Sequence, residues 1–287
     1  MTSRAMRVCH VMSADLWAGA EVQVATLTSY LARSSEVTLS VVLFNDGSLA
    51  AELRRIGIDV TVVDERNHGA VDIVKALTTH FRVRQTDIVH THRYKDNILA
   101  TAAALVAGGP RIIRTVHGLT EPMRGWARLK WLALETVDRF ALGHCAAAVV
   151  AVSRDTAAAM MGKGFSQQFV RQIHNGIDMV NTRATRCRDE VRREFGIAAD
   201  TPLVGTAGRL TPVKAQDDFL RAAHLIARRQ PDFRFVIVGE GPEESALRQL
   251  AADLGIESQV IFTGGRRDVN DLIAAMDVFV LPSLAEG

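Results

Sequence analysis

The sequence predicts an α/β chain of two doubly wound domains, each a parallel sheet with helices on both faces. Three observations carry that prediction. Short β-branched runs alternate with longer helical stretches over residues 1–178. A polar segment rich in Arg and Asp, 179–199, then interrupts the alternation. A second alternating series fills residues 200–287. A length of 287 residues suits two medium domains better than one.

In the first series, residues 6–12 read as a strand and 20–33 as a helix, with Val22, Leu27, Tyr30 and Leu31 at roughly helical spacing. A strand over 37–44 and a helix over 50–56, closed by Gly57, follow. Then come a short strand over 60–63 and a helix over 72–84 that Asp72 could cap. A strand at 88–90 leads to a helix over 97–107, which stops at Gly108-Gly109-Pro110. The half closes with strands at 112–116, 147–152 and 170–173, a long helix over 127–142 and another from Ser153.

The connecting segment contains one short helical piece, 190–195. The second series reads as strands at 203–207, 233–238, 260–262 and 278–281, with helices over 216–229, 243–254 and 269–275 between them. Four strands are fewer than a complete doubly wound domain usually has, and residues 282–287 read as a loop leaving a strand. The second domain is therefore expected to be incomplete, its C-terminus truncated.

Composition excludes several classes. Hydrophobic residues make up 48% and charged residues 23%, a soluble globular balance. Net charge is +2, too even to imply nucleic-acid binding. Cys9, Cys145 and Cys187 are far apart and lack metal or disulfide spacing, which suits thiols in a reducing cytosol. No secretory pattern and no apolar run of ~18 residues is present, so a cytoplasmic protein is expected.

In open α/β sheets, ligands bind beyond the carboxyl ends of the strands, so chemistry is sought in the strand-to-helix loops. Gly19, in Trp17-Ala18-Gly19-Ala20-Glu21, would let a phosphate or sugar hydroxyl approach backbone at a helix N-terminus; it could equally be an ordinary turn glycine. His90, His92 and His117 follow two neighbouring strands. No carboxylate or cysteine nearby has metal-ligand spacing, so no metal is expected. His117 is the better candidate to hydrogen-bond a substrate oxygen, and His90 the better candidate for packing.

The sharpest signal is Gly208-Arg209-Leu210 with Lys214, directly after a strand. A guanidinium fork and a mobile ammonium five residues apart can converge on one anion. Gly239-Glu240-Gly241-Pro242 superficially suggests a dinucleotide fingerprint, but lacks its third glycine. Glu286 stands just past the last strand. Residues 124–131, Arg-Gly-Trp-Ala-Arg-Leu-Lys-Trp, could sit at an anionic membrane surface; the alternative is an amphipathic helix with Trp131 in the core.

Taken in order, these elements resemble glycosyltransferase family 4. The pattern runs from Trp17-Ala18-Gly19-Ala20-Glu21 through His90-Thr91-His92, Thr115-Val116-His117-Gly118, Val152-Ser153 and Asn175-Gly176-Ile177-Asp178. It continues through Gly208-Arg209-Leu210 with Lys214, Val238-Gly239-Glu240-Gly241-Pro242, and Leu281-Pro282-Ser283 with Glu286-Gly287. The resemblance covers essentially the whole chain. It implies the GT-B fold: two Rossmann-like domains facing across a cleft, the first taking the acceptor and the second a nucleotide-diphosphate sugar. It also implies sugar transfer with retention to a glycan or lipid-linked acceptor, in cell-surface polysaccharide or glycolipid synthesis.

By the same resemblance, Gly19 approaches the donor diphosphate, His117 contacts the transferred sugar, and Arg209 and Lys214 bind the diphosphate as it leaves. Gly208, Gly239 and Gly241 belong to the donor loops, and Glu286 matches the first glutamate of the family's Glu-x7-Glu motif. The second glutamate would lie beyond Gly287. Ala18 stands where the family often has glycine. With no Asp-x-Asp motif present, Arg209 and Lys214 would replace a divalent metal, and no cofactor is implied. Two alternatives remain: another GT-B enzyme such as a nucleotide-sugar 2-epimerase, and an inactive remnant that binds nucleotide or a partner.

Overall fold

A computed structural model describes residues 4–14, 17–118, 126–180 and 182–286, with backbone alone for 126–131. The chain forms two compact units, Met1–Ile177 and Asp178–Glu286.

The first unit runs β1 (Met6–Met12), α1 (Gly19–Leu31), β2 (Val37–Leu43), α2 (Ser48–Arg55), β3 (Val60–Val62), α3 (Ala70–Val83) and β4 (Ile88–Thr91). It continues with α4 (Tyr94–Ala107), β5 (Arg111–Val116), α5 (Trp126–Cys145), β6 (Ala146–Ala151), α6 (Arg154–Gly162) and β7 (Val170–Gln172). The strands form one sheet in the order β3-β2-β1-β4-β5-β6-β7, every described pairing parallel. Side chains alternate across it, as the pleat requires. Cys9, Val11, Val42 and Phe44 meet Ile73, Leu77 and Phe81 of α3 on one face. Met12, Val41 and Leu43 meet Val24, Leu49 and Leu53 of α1 and α2 on the other. The strand order reverses between β1 and β4.

The second unit contains α7 (Arg188–Glu194), β8 (Leu203–Ala207), α8 (Gln216–Ala227), β9 (Arg234–Val238), α9 (Glu244–Asp253), β10 (Val260–Phe262), α10 (Val269–Ala275) and β11 (Val278–Phe279). Its parallel sheet has the order β10-β9-β8-β11, with the reversal between β8 and β11. Leucine, isoleucine and phenylalanine side chains from β9, α8 and α9 make the core on one face.

One expectation is modified here. Residues 179–199 read as a connecting segment, yet α7 packs into the second unit: Val191 and Ile197 join the core with Val236, Leu272 and Met276. The polar residues that made α7 look like linker are what fasten it. Arg192, 1% exposed, donates to the carbonyls of Ala198, Ala199, Thr201 and Ala275 and pairs with Asp277 at 2.7 Å. The strand expected over 278–281 is only two residues long, Val278–Phe279. Among the described residues no helix is long and apolar enough to cross a membrane. The three cysteines are free, and burial pushes the Cys9 thiol up to about 12.

Candidate functional site

Each sheet reverses its strand order once, and a reversal leaves a crevice beyond the carboxyl ends of the two strands that flank it. In the first unit those strands are β1 and β4, with β5 beside β4. Register places His10 opposite His90, and His92 lies one residue past β4. His117 lies one residue past β5. Three neighbouring strands therefore deliver His10, His92 and His117 in a row. His10 Nδ1 lies 3.0 Å from His92 Nε2, and His92 Nδ1 lies 3.0 Å from His117 Nε2. His90 stacks on His92 at 4.5 Å between ring centroids and bonds Thr115 Oγ1 at 2.7 Å.

All four rings are kept neutral. Burial lowers His10 and His92 well below the ordinary range, and neighbouring histidines add to it. Burial and then His117 bring His90 to about 4. Burial, then Arg93 and Arg114, bring His117 to about 4. A neutral imidazole offers one hydrogen-bond donor and one acceptor, a match for a sugar hydroxyl, and brings no charge to an anion. His10, His90 and His92 also bring three potential metal-ligand atoms within 4.8 Å of one another.

A buried polar network holds the surrounding loops. Glu21 Oε2 accepts from the Ala18 N–H, closing the first turn of α1 beside Gly19. The other Glu21 oxygen pairs with Arg93. Asp96 accepts from the Ser13 N–H and hydroxyl and from the Arg93 N–H, and burial still pushes it up to about 6. Asn97 donates to Asp138, which also pairs with Arg114. Among the described residues a Cβ at Gly19 would meet nothing within 4 Å.

In the second unit the reversal lies between β8 and β11. The loop after β8 carries Gly208, Arg209 and a 3-10 turn, Pro212–Lys214; the segment after β11 carries Glu286. The two are tied together, the Leu284 N–H donating to the Val213 carbonyl at 2.9 Å. Lys214 Nζ reaches both Glu286 oxygens at 2.7 Å. Burial works against the Glu286 carboxylate, but Lys214 holds it below its ordinary range. Arg209 is exposed, and among the described residues its guanidinium makes no hydrogen bond or ion pair. Ala215, directly after Lys214, adopts φ 49°, a left-handed conformation costly for a residue with a Cβ. The chain holds that strained turn where it starts α8, which fixes Lys214 at the strand end.

The glycines of the next loop have a structural reason of their own. A Cβ on Gly239, where φ is 137°, would lie 1.9 Å from the Gly208 carbonyl oxygen. One on Gly241 would lie 2.3 Å from the Leu210 carbonyl oxygen. Both residues let the 239–243 backbone lie against the 208–210 loop, through Gly208 N–H to Val238 O, Leu210 N–H to Glu240 O and Glu243 N–H to Leu210 O. Gly239 and Gly241 are thus explained by backbone contact with the Arg209 loop.

The structure joins Lys214 to Glu286 and places Gly208 and Arg209 in the same loop. It places His117 in a row with His92 and, unforeseen from sequence, His10. Arg93, Asp96 and Asp138 carry no signal in the sequence, and Glu21 is visible there only as the end of the Trp17–Glu21 loop. The segment 124–131, read as a membrane-surface candidate, lies outside the residues with described side chains.

The family model for Glycosyltransferase Family 4 matches residues 17–180, and that for Glycosyl transferases group 1 matches residues 188–287. An Escherichia coli UDP-Gal:alpha-D-GlcNAc-diphosphoundecaprenol alpha-1,3-galactosyltransferase is 29% identical over 229 residues, 77% of this chain and 59% of that protein. A Mycolicibacterium smegmatis GDP-mannose-dependent alpha-(1-6)-phosphatidylinositol monomannoside mannosyltransferase is 32% identical over 184 residues, 63% of this chain and 46% of that protein. The chain thus spans about half the length of these curated relatives. Among solved structures, Anabaena HepE in complex with UDP-glucose superposes with a TM-score of 0.82 at 23% identity, over 97% of this chain and 74% of that one. That likeness is one of fold, the GT-B class of two parallel-sheet units.

Proposed function

The chain belongs to glycosyltransferase family 4, and from that premise we propose that it transfers a sugar from a nucleotide-diphosphate sugar to a glycan or lipid-linked acceptor. The relatives named above use UDP- or GDP-sugars, and both act on lipid-linked acceptors. The observation that carries the reading is the meeting of Lys214 with Glu286 beside Arg209, at the strand reversal of the second sheet.

Breaking a sugar–phosphate bond builds negative charge on the leaving diphosphate. Among the described residues Arg209 is exposed and its guanidinium has no partner, so its fork can take two phosphate oxygens at little desolvation cost. Lys214 is neutralised by Glu286 through a half-exposed ion pair, which contributes ~0–1 kcal/mol and is easily exchanged for a stronger anion. Released from Lys214, Glu286 can accept from hydroxyls of the donor sugar. His117 contacts the transferred sugar as a neutral hydrogen-bond partner. Gly19, at the α1 N-terminus and with no described atom where a Cβ would stand, serves the donor's charged end. No nucleophile on the sugar's far face enters this scheme. Configuration is retained by same-face departure and attack, with the leaving phosphate taking the acceptor's proton. Neither metal nor cofactor takes part. The protein works in the cytoplasm, and a lipid-linked acceptor would bring it to the inner membrane face.

Incubation with a panel of UDP- and GDP-sugars and polyprenyl- or phosphatidylinositol-linked acceptors tests the reading. It predicts free nucleoside diphosphate together with a lengthened acceptor of retained configuration. An isomerised sugar with no transfer would contradict it.

A further inference from the structure

The row of imidazoles in the first unit has a property that none of its members has alone. A neutral imidazole carries one N–H and one lone pair. His10 Nδ1 meets His92 Nε2, and His92 Nδ1 meets His117 Nε2, each at 3.0 Å. Each contact needs one hydrogen, so the three rings bring three hydrogens to two contacts. The third hydrogen must sit at an end of the row, on His10 Nε2 or on His117 Nδ1. The tautomers of all three rings are therefore one choice. With the spare hydrogen at His117, every ring is the Nδ1–H tautomer; with it at His10, every ring is the Nε2–H tautomer.

The two ends differ. His10 is 0% exposed, and its Nε2 is buried with no hydrogen-bond partner among the described residues. A hydrogen placed there would be an orphaned buried donor, a rarer state than an unmet acceptor. His117 Nδ1 is also buried and unpartnered among the described residues, but His117 as a whole is partly exposed and lies one residue past the carboxyl end of β5, the side on which open α/β sheets bind ligands. Arg93 and Arg114 face His117, and His90 stacks on His92; their charge and burial keep a fourth hydrogen off the row.

We propose that His10 is a positioning residue which, through His92, locks His117 as an Nδ1–H donor. Free imidazole side chains prefer the Nε2–H form, so the row selects the minority tautomer. This rests on the reading of His117 as a contact to the transferred sugar, and the test separates the two.

Selective 15N-histidine labelling with long-range 1H–15N correlation reads each ring's tautomer directly, without any activity. The wild-type protein should show His10, His92 and His117 all as Nδ1–H at neutral pH. Nε2–H at these rings, or a mixture, would overturn the proposal. In the variants, His10→Leu removes the donor to His92 and should let His117 revert towards Nε2–H. His10→Asn keeps an N–H near the Nδ1 position and should preserve the lock. Turnover should fall roughly five- to tenfold in His10→Leu, about the value of one hydrogen bond in the transition state, and recover in His10→Asn. An Asn variant as slow as the Leu variant would overturn the proposal. So would stoichiometric zinc binding that His10→Asn abolishes, because it would make His10 a metal ligand. If His117→Ala leaves turnover unchanged while the wild-type rings are all Nδ1–H, the sugar-contact reading fails and the lock stands.

Discussion

In the first unit four imidazoles are held neutral inside the protein, whereas in the second a lysine and a glutamate meet as full charges at the surface. The first arrangement suits recognition of a hydroxyl, which needs a directed donor and no field. The second suits an anion whose charge grows during reaction, which needs cations that desolvate cheaply. The same strand reversal serves both, because it fixes only where a crevice lies; the side chains past the strand ends decide what it takes.

Arg192 departs from the pattern, since it is a charge the second unit buries. It is also where the largest effect is expected. Arg192→Leu would take a donor from each of four carbonyls and from Asp277, which keeps Arg188 and the Leu203 N–H, at a cost of about 3 kcal/mol. Urea unfolding followed by amide exchange in β8 and β9 should show the loss; an unchanged second unit would mean that α7 is held by Val191 and Ile197 alone.

Acidification should separate the units next. An unfolded histidine takes up its proton near 6.5, but folded His90 and His117 do so only near 4. Between those values the unfolded chain binds more protons. Their contribution is thus fully present above about pH 6.5 and is lost as pH falls towards 4. For His90 the loss by pH 4 is about 3 kcal/mol. Asp96 works oppositely, since its folded value is raised to about 6 from 3.8, and it returns about 2 kcal/mol over the same range. With four depressed histidines against Asp96 and a raised Asp138, the net effect is destabilising. In the second unit, Asp277, Asp268, Glu194 and Glu286 are all held below their ordinary values, so their contribution persists until about pH 4 and is lost below it. Trp17, Trp126 and Trp131 all lie in the first unit's residues, so tryptophan fluorescence reports it alone. Its urea midpoint should fall between pH 7 and 4.5 while exchange protection in β8 and β9 holds. Loss of both together would erase the contrast.

A smaller effect tests what the second unit's glycines do. Gly239→Ala should cost about 1–3 kcal/mol, through its positive φ and the clash with Gly208. If nucleotide affinity falls with no loss of stability, the glycine serves the ligand and the backbone explanation is wrong.

What the sequence reveals and what it hides follows from distance along the chain. Strand–helix alternation is local, and so is the Gly208–Lys214 loop; both can be read directly. Glu286 is legible only through family order, since its contact with Lys214 spans 72 residues. His10 is hidden because Met6–Met12 reads as one apolar strand, and its partner lies 82 residues away. Arg192 reads as linker until the carbonyls it binds are in place. Gly239 and Gly241 are visible as glycines, but sequence cannot tell whether the approaching group is a phosphate or the chain's own backbone.

Arg209 and Lys214 are proposed to do for the leaving diphosphate what a divalent metal would otherwise do. Steady-state turnover of the wild-type, Arg209→Ala, Lys214→Ala and double variants, each with and without EDTA, tests it most directly. EDTA should leave the wild type unaffected. Arg209→Ala should lower turnover by roughly ten- to several-hundred-fold, for ~1.5–3 kcal/mol of lost charge-assisted contact. The double variant should lose less than the sum of the single losses, and Arg209→Lys should recover only part. Full activity in Arg209→Ala, or complete loss of wild-type activity on adding EDTA, would contradict it.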